Sequence, residues 1–363
     1  MAKRKKKIIS LFARISFVIF VLILILAVLS ELSPRFADLI NSTVSQQFRR
    51  VMATFGDIFP FSLFEIIALS IPLILFLVIY AGLRRFSDRE GRLRYIVNIL
   101  AVVLLVFSGH TLALGIGYRT TPLSVQMSLP DTEITVENLS EVMTSLRDEV
   151  NSLADIVPRD ENGVFNPEYT YPELSDKIFA SYSALESEYG LPANFESNAK
   201  GVYFGNFMSY LRIGGIYTYI TGEANVNTAY PAYDTIFTAA HEMSHQRGIL
   251  RENEANFVAY LLTSTSDDRN LRYSAALNMY SYIASALYKT DSDAYYNIAE
   301  GLSESARVDI RTSNAVTAKY GDTIIADISE WVNDLYLESN GTDGVVSYSQ
   351  VVELTVAYFE MKK

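Results

Sequence analysis

The chain has 363 residues, with 30 Lys and Arg against 41 Asp and Glu, three His and no Cys. The missing Cys excludes disulfides, thiol catalysis and thiolate metal sites, and the acidic excess argues against nucleic acid as a partner. Charge is divided unevenly: residues 1–119 carry a net +9 and the remainder −20.

Three apolar runs fill the first third, at residues 8–29, 59–83 and 95–118. Each reaches the roughly 20 residues that span a bilayer as a helix. Lys3, Arg4, Lys5, Lys6 and Lys7 precede the first run; Arg84, Arg85, Arg89, Arg92 and Arg94 crowd the region between the second and third. The positive-inside rule makes both basic regions cytoplasmic, which puts residues 30–58 and everything after Arg119 outside. Arg49 and Arg50 in the outer loop count against this and are outweighed by the two clusters. The first run is read as an uncleaved anchor, because it is long for a signal peptide and two more spans follow. Pro72 is expected to kink the second span, and Glu65 and His110 to sit at an interface or face the bundle. The expected domains are therefore a membrane anchor (1–119) and an extracytoplasmic domain (120–363), in a multi-pass protein of the cell membrane.

Residues 119–135, with Pro122 and Pro130, read as a linker. Residues 136–156 have helical spacing with Asn138 or Ser140 as cap, 162–168 a turn, and 174–189 a helix closed by Gly190 and Pro192. Residues 202–204 and 213–220 are rich in β-branched and aromatic residues and read as short strands; 216–220 is the expected edge strand for an extended peptide. Glu223 and Asn225 are placed on the loop that follows. Helices are expected at 252–264, 268–288, 293–312 and 323–337, and a turn at 339–344. The fold class is α+β, mainly helical, with a small sheet.

Two of the three histidines stand four apart in His241-Glu242-Met243-Ser244-His245. On a helix they share a face and can bind one metal ion, with Glu242 beside it to take a proton from the attacking water. Thr235-Ile236-Phe237-Thr238-Ala239-Ala240 is an apolar approach suited to a buried helix. Gly248 can end that helix in a left-handed cap and turn the chain back towards the metal. A catalytic zinc needs a third protein ligand, which must be a carboxylate here: Glu252 is preferred over Glu254 because its face carries Ala255, Asn256 and Ala259. Asn256, one turn on, is the candidate partner of a ligating His.

The pattern His-Glu-x-x-His, then Glu followed four residues later by an amide, resembles the gluzincin metallopeptidases. Glu252-x-Glu254-Ala255-Asn256-x-x-Ala259-x-Leu261-Leu262 also looks like the second-helix signature of small gluzincin-like peptidases. The resemblance implies a zincin-like domain with Zn2+ held by His241, His245 and Glu252, and Glu242 as general base. The spacing departs from it, since gluzincins usually place the third ligand much further downstream. Metzincins also carry a glycine three residues after the second His, but Arg251 stands where their third His would fall. The longer stretch from Thr221-Gly222-Glu223-Ala224-Asn225 through the motif, Gln246, Arg247 and Gly248 to Asn256 resembles a family of bacterial three-span membrane proteins with a domain of unknown function.

The expected function is hydrolysis of peptide bonds in a peptide or protein substrate outside the membrane. The alternative is a non-catalytic binding or sensing module with a structural or vestigial metal site. Catalysis also needs an oxyanion stabiliser, for which Tyr348 and Arg212 are the candidates.

Overall fold

An apolar run in lipid must satisfy its own backbone polar groups, and the α-helix is the one local way to do so. The computed structural model describes residues 9–84, 89–321, 323–339 and 347–363. Its first elements are α1 (Leu11–Leu32), α2 (Pro34–Ile40), α3 (Gln46–Asp57), α4 (Leu63–Leu83) and α5 (Arg89–His110). Among the described residues three helices are long and apolar enough to cross a membrane: α1, α4, and α5 with its continuation to Arg119. Helix α1 packs along α5, with the Phe20 and Phe107 rings 6.1 Å apart. Helix α4 is unbroken through Pro72 and packs extensively on neither of them among the described residues. Lys3 to Lys7 and Arg85 lie outside the described residues.

Residues 30–58 form α2, a π-helical turn at Asn41–Ser45, and α3, and they pack into the rest of the protein. Arg49 is fully buried and donates to the carbonyls of Ala113 (3.0 Å) and Asn41 (2.9 Å) and to Gln46 (3.0 Å). Its charge is thus committed to protein carbonyls, which removes it from the surface pattern that the positive-inside rule counts. The segment expected as a linker is docked as well. It holds the short helix α6 (Leu123–Gln126), with Leu123 and Met127 in the core and Asp38 accepting from the Thr121 backbone N–H (2.8 Å) and hydroxyl (2.6 Å).

Next come α7 (Val136–Ala154) and α8 (Tyr171–Tyr189). The cap of α7 is Thr135, not Asn138 or Ser140; Asn138 is its reciprocal partner three residues on. That arrangement is a capping box, in which each side chain satisfies the other's backbone N–H. Gly190, at φ +66°, closes α8.

The sheet holds β1 (Ala199–Val202), β2 (Gly215–Thr218) and β3 (Glu223–Asn227) in the order β1-β3-β2, with the short helix α9 (Gly205–Tyr210) between β1 and β2. Strand β1 is parallel to β3 and β2 antiparallel to it, so β2 is an edge. Two expectations need correction. Tyr203 and Phe204 lie beyond β1, in the turn into α9, and Tyr219 and Ile220 lie beyond β2. Glu223 and Asn225, expected on a loop, belong to the fully buried central strand. A strand this polar is stable inside because its side chains find partners far away in sequence. The Glu223 carboxylate accepts the N–H groups of Leu63 (2.9 Å) and Phe64 (2.8 Å) at the start of α4 and pairs with buried Lys200 (2.7 Å). The Ser62 hydroxyl, which caps α4, donates to Asn225 (2.6 Å).

The β2–β3 turn carries Gly222 at φ +70°, and a Cβ there would lie 2.1 Å from the Met52 carbonyl carbon of α3. Gly222→Ala is expected to destabilise the protein by roughly 2–4 kcal/mol, from left-handed strain and backbone overlap together. This is read as a fall in the unfolding midpoint; a variant as stable as the parent would show that α3 does not rest on this turn.

The remainder is helical: α10 (Ala232–Arg247), α11 (Glu252–Ser264), α12 (Arg269–Thr290), α13 (Ser292–Ala299), α14 (Glu304–Tyr320), α15 (Ile324–Ser339) and α16 (Ser347–Met361). The helix expected over 293–312 is two, because the chain breaks at Gly301 and restarts where the Ser303 hydroxyl accepts the Ala306 N–H. In the expected turn at 339–344, residues 340–344 lie outside the described ones. The core gathers α7, α10, α11, α12 and α16, with the sheet against α10.

Candidate metal centre

Helix α10 is buried almost all round: Ala239, Ala240 and Met243 are inaccessible, so the motif sits on a fixed rod. Its end is pinned by two buried polar residues. Gln246 accepts from Ser197 (2.6 Å) and donates to the Gly222 carbonyl (2.6 Å). Arg247 donates to Asn194 (2.7 Å) and to the carbonyls of Phe195 (2.8 Å) and Met243 (3.0 Å). Gly248 takes φ +103° and ends the helix; a Cβ there would lie 2.2 Å from Arg49 Nη2. Asn41 Nδ2 donates to the Gly248 carbonyl (3.0 Å), which ties this turn to residues 30–58.

The turn returns the chain so that Glu252, first residue of α11, faces both histidines. His241 Nε2 lies 3.3 Å from Glu252 Oε2, and His245 Nε2 3.4 Å from Oε1. The two imidazoles are nearly perpendicular, at 85° with centroids 4.5 Å apart. One ligand atom from each residue falls within a 4.8 Å group. Charge-assisted N–H···O bonds are shorter, about 2.7–2.9 Å. The two carboxylate oxygens of Glu252 each face a different histidine, so the carboxylate lies between the two rings, where it can share a cation with them. The donor set, two imidazoles and a carboxylate without thiolate, fits zinc with an open fourth position.

The three side chains perturb one another. Burial by itself would lower His245, but Glu252 outweighs it and His245 is pushed up to about 9. Burial would likewise raise Glu252, yet the two histidines hold its carboxyl well below the usual carboxylate range. A bound cation would replace the proton this cluster otherwise attracts. The Ile249 carbonyl lies 2.7 Å from His245 Nδ1, which orients that ring. His241 Nδ1 is buried without a partner among the described residues.

Glu242 lies beside the cluster, 4% exposed. Burial raises its pKa, offset in part by His241 and His245, and the Tyr217 backbone N–H of β2 donates to it. Gly215 makes this approach possible: a Cβ there would sit 2.5 Å from Thr238 Cγ2 and 2.6 Å from Glu242 Oε1. A cavity of about 990 Å³ opens over His241, Glu242, His245 and Glu252, walled by β2 on one side and by α4 and the end of α5 on another.

Other residues singled out in the sequence fall as follows. Glu254 lies away from the cluster, accepting the Leu123 N–H (2.8 Å) and pairing with Arg251 (3.0 Å). Asn256 lines the cavity without a hydrogen bond to either histidine among the described residues, and the Ile249 carbonyl orients His245. Arg212 lines the cavity and pairs with Glu330. The Tyr348 side chain lies outside the described residues. Glu65 accepts the backbone N–H groups of Tyr203 (3.2 Å) and Phe204 (2.6 Å). His110 lines the cavity wall, its ring edge-on to Tyr219. The Tyr217 N–H, Gln246 and Arg247 were missed as parts of the site. Gln246-Arg247 did carry a signal, being strongly polar residues continuing a buried helix.

Fold and site together define a mainly helical membrane protein in which a His-Glu-x-x-His helix and a downstream glutamate meet at one cavity. The chain belongs to the family described as protein of unknown function (DUF3810), whose pattern matches residues 37–356. The match takes in α4, α5 and every residue of the His-His-Glu cluster. No curated protein and no solved structure matches the chain.

Proposed function

We propose that this protein is a membrane-anchored zinc metallopeptidase with a zincin-like domain, acting on peptide or protein substrates outside the cytoplasmic membrane. The observation that carries the reading is the convergence of His241, His245 and Glu252 at separations of 3.3 and 3.4 Å, with buried Glu242 alongside. Zinc, when bound by these three residues, would polarise the scissile carbonyl and bring a water's pKa towards neutrality. Glu242 accepts the proton of the attacking water and delivers it to the leaving amine. Beyond the Tyr217 N–H, which Glu242 takes, the remaining outer edge of β2 holds an extended substrate by backbone hydrogen bonds. Arg212, which lines the cavity, and Tyr348 are the candidates for stabilising the oxyanion. The basic residues around the cytoplasmic ends of the spans support placing the site outside. The test is Glu242→Gln: metal retained and hydrolysis lost supports a peptidase, whereas full biological function in the variant supports the non-catalytic binding module.

A further inference from the structure

The cavity does not stop at the metal cluster. Its far wall is a stripe on α4, Phe64, Ile67, Ala68 and Ile71, spaced so that all four share one helix face. From the other side Leu114, in the continuation of α5, completes an apolar cleft. Ile71 lies eight residues beyond Leu63, about 12 Å along a helix that is apolar enough to cross a membrane. Helix α4 meets α5 at its other end, where Tyr95 lies against Gly82 and donates to the Val78 carbonyl, whereas Ile67 and Ile71 are 40% and 49% exposed, so the apolar lining of the cleft is accessible between the two helices.

Strand β2 connects the two ends. Gly215 is packed against Glu242, while four residues on Tyr219 rests on α5, its hydroxyl donating to the Val106 carbonyl (3.0 Å) and its ring 5.7 Å from that of His110. The outer edge of β2 (Gly215–Thr218) thus runs about 10 Å from the candidate catalytic carboxylate, and the turn residue Tyr219 carries it on to the mouth of the cleft. A peptide leaving the hydrocarbon needs new partners for its backbone as its own helix ends, and this edge supplies them.

Resting on the peptidase reading, we infer that the substrate is a polypeptide tethered to the bilayer by an apolar segment. That segment lies in the α4–α5 cleft, and the cut falls about four residues outside it, the length of β2 from cleft to Glu242. Tethering adds an effective concentration that a soluble peptide lacks.

The test uses the full chain in lipid vesicles and two pools of short randomised peptides, one free and one joined at either end to an apolar helix of about 20 residues. Tethered peptides are expected to be cut about a hundredfold faster or more, at about four residues from the apolar segment by product mass. Ala68→Trp, which fills the cleft, is expected to slow tethered cleavage about tenfold or more while zinc content stays at the parent level. Equal rates for both pools, or cuts scattered without regard to the apolar segment, overturn the inference and leave the peptidase reading standing. No cleavage of either pool by zinc-loaded protein overturns the peptidase reading itself, and the inference with it.

Discussion

Glu252→Ala is expected to abolish zinc binding, whereas Glu254→Ala is expected to keep it. In the proposed centre three protein ligands hold the metal, and losing one leaves two imidazoles that cannot hold zinc against water and buffer. The fall in affinity should exceed the about 10–100-fold lost when a supporting group alone is removed. The two carboxylates stand two residues apart on one helix, so the pair is a sharp control. Glu252 faces His241 and His245; Glu254 accepts from Leu123 and pairs with Arg251. Glu254→Ala should therefore lower the unfolding midpoint through the stranded Leu123 N–H and the lost pair with Arg251, and yet retain metal. Added zinc should raise the midpoint of the parent and of Glu254→Ala but not that of Glu252→Ala, because only a folded state with an intact site gains from ligand. Zinc lost from Glu254→Ala and retained by Glu252→Ala would reverse the assignment.

Glu242→Gln is expected to leave zinc content unchanged and to reduce peptide hydrolysis by about 10²–10⁴-fold, the range for removing a general base. Glutamine has nearly the same shape, so it fits the space left by Gly215 and still accepts the Tyr217 N–H through its carbonyl. It cannot take up a proton. Turnover within a few fold of the parent, with metal in place, would remove Glu242 from the mechanism.

How far the sequence disclosed this molecule depends on the range of the interactions. The motif helix was readable because its chemistry is local: two histidines at helical spacing, an apolar approach and a glycine at the end. Glu252 was readable as well, since the left-handed turn at Gly248 leaves few residues before α11 begins. The apolar runs announced their helices by composition alone. The central strand was hidden, because Glu223 and Asn225 read as loop residues until Ser62, Leu63 and Phe64, some 160 positions earlier, are known to meet them. Residues 30–58 were hidden for the same reason: nothing near Arg49 says that its partners include the Ala113 carbonyl. The break at Gly301 was legible in principle, since glycine followed two residues later by serine is an ordinary helix stop and cap.

These long-range ties decide which protein to assay. Asn41 and Arg49 support the turn at Gly248, and Lys200 donates to the Gly56 carbonyl (2.6 Å), so residues 30–58 brace the site and the full chain is the right material. The most direct measurement is the zinc content of the purified full-length protein by elemental analysis, after removal of loosely held metal. One zinc per chain, absent from His245→Ala, is the result the proposed centre requires. Correctly folded protein that takes up no zinc even when it is supplied would contradict the metal centre and, with it, the peptidase.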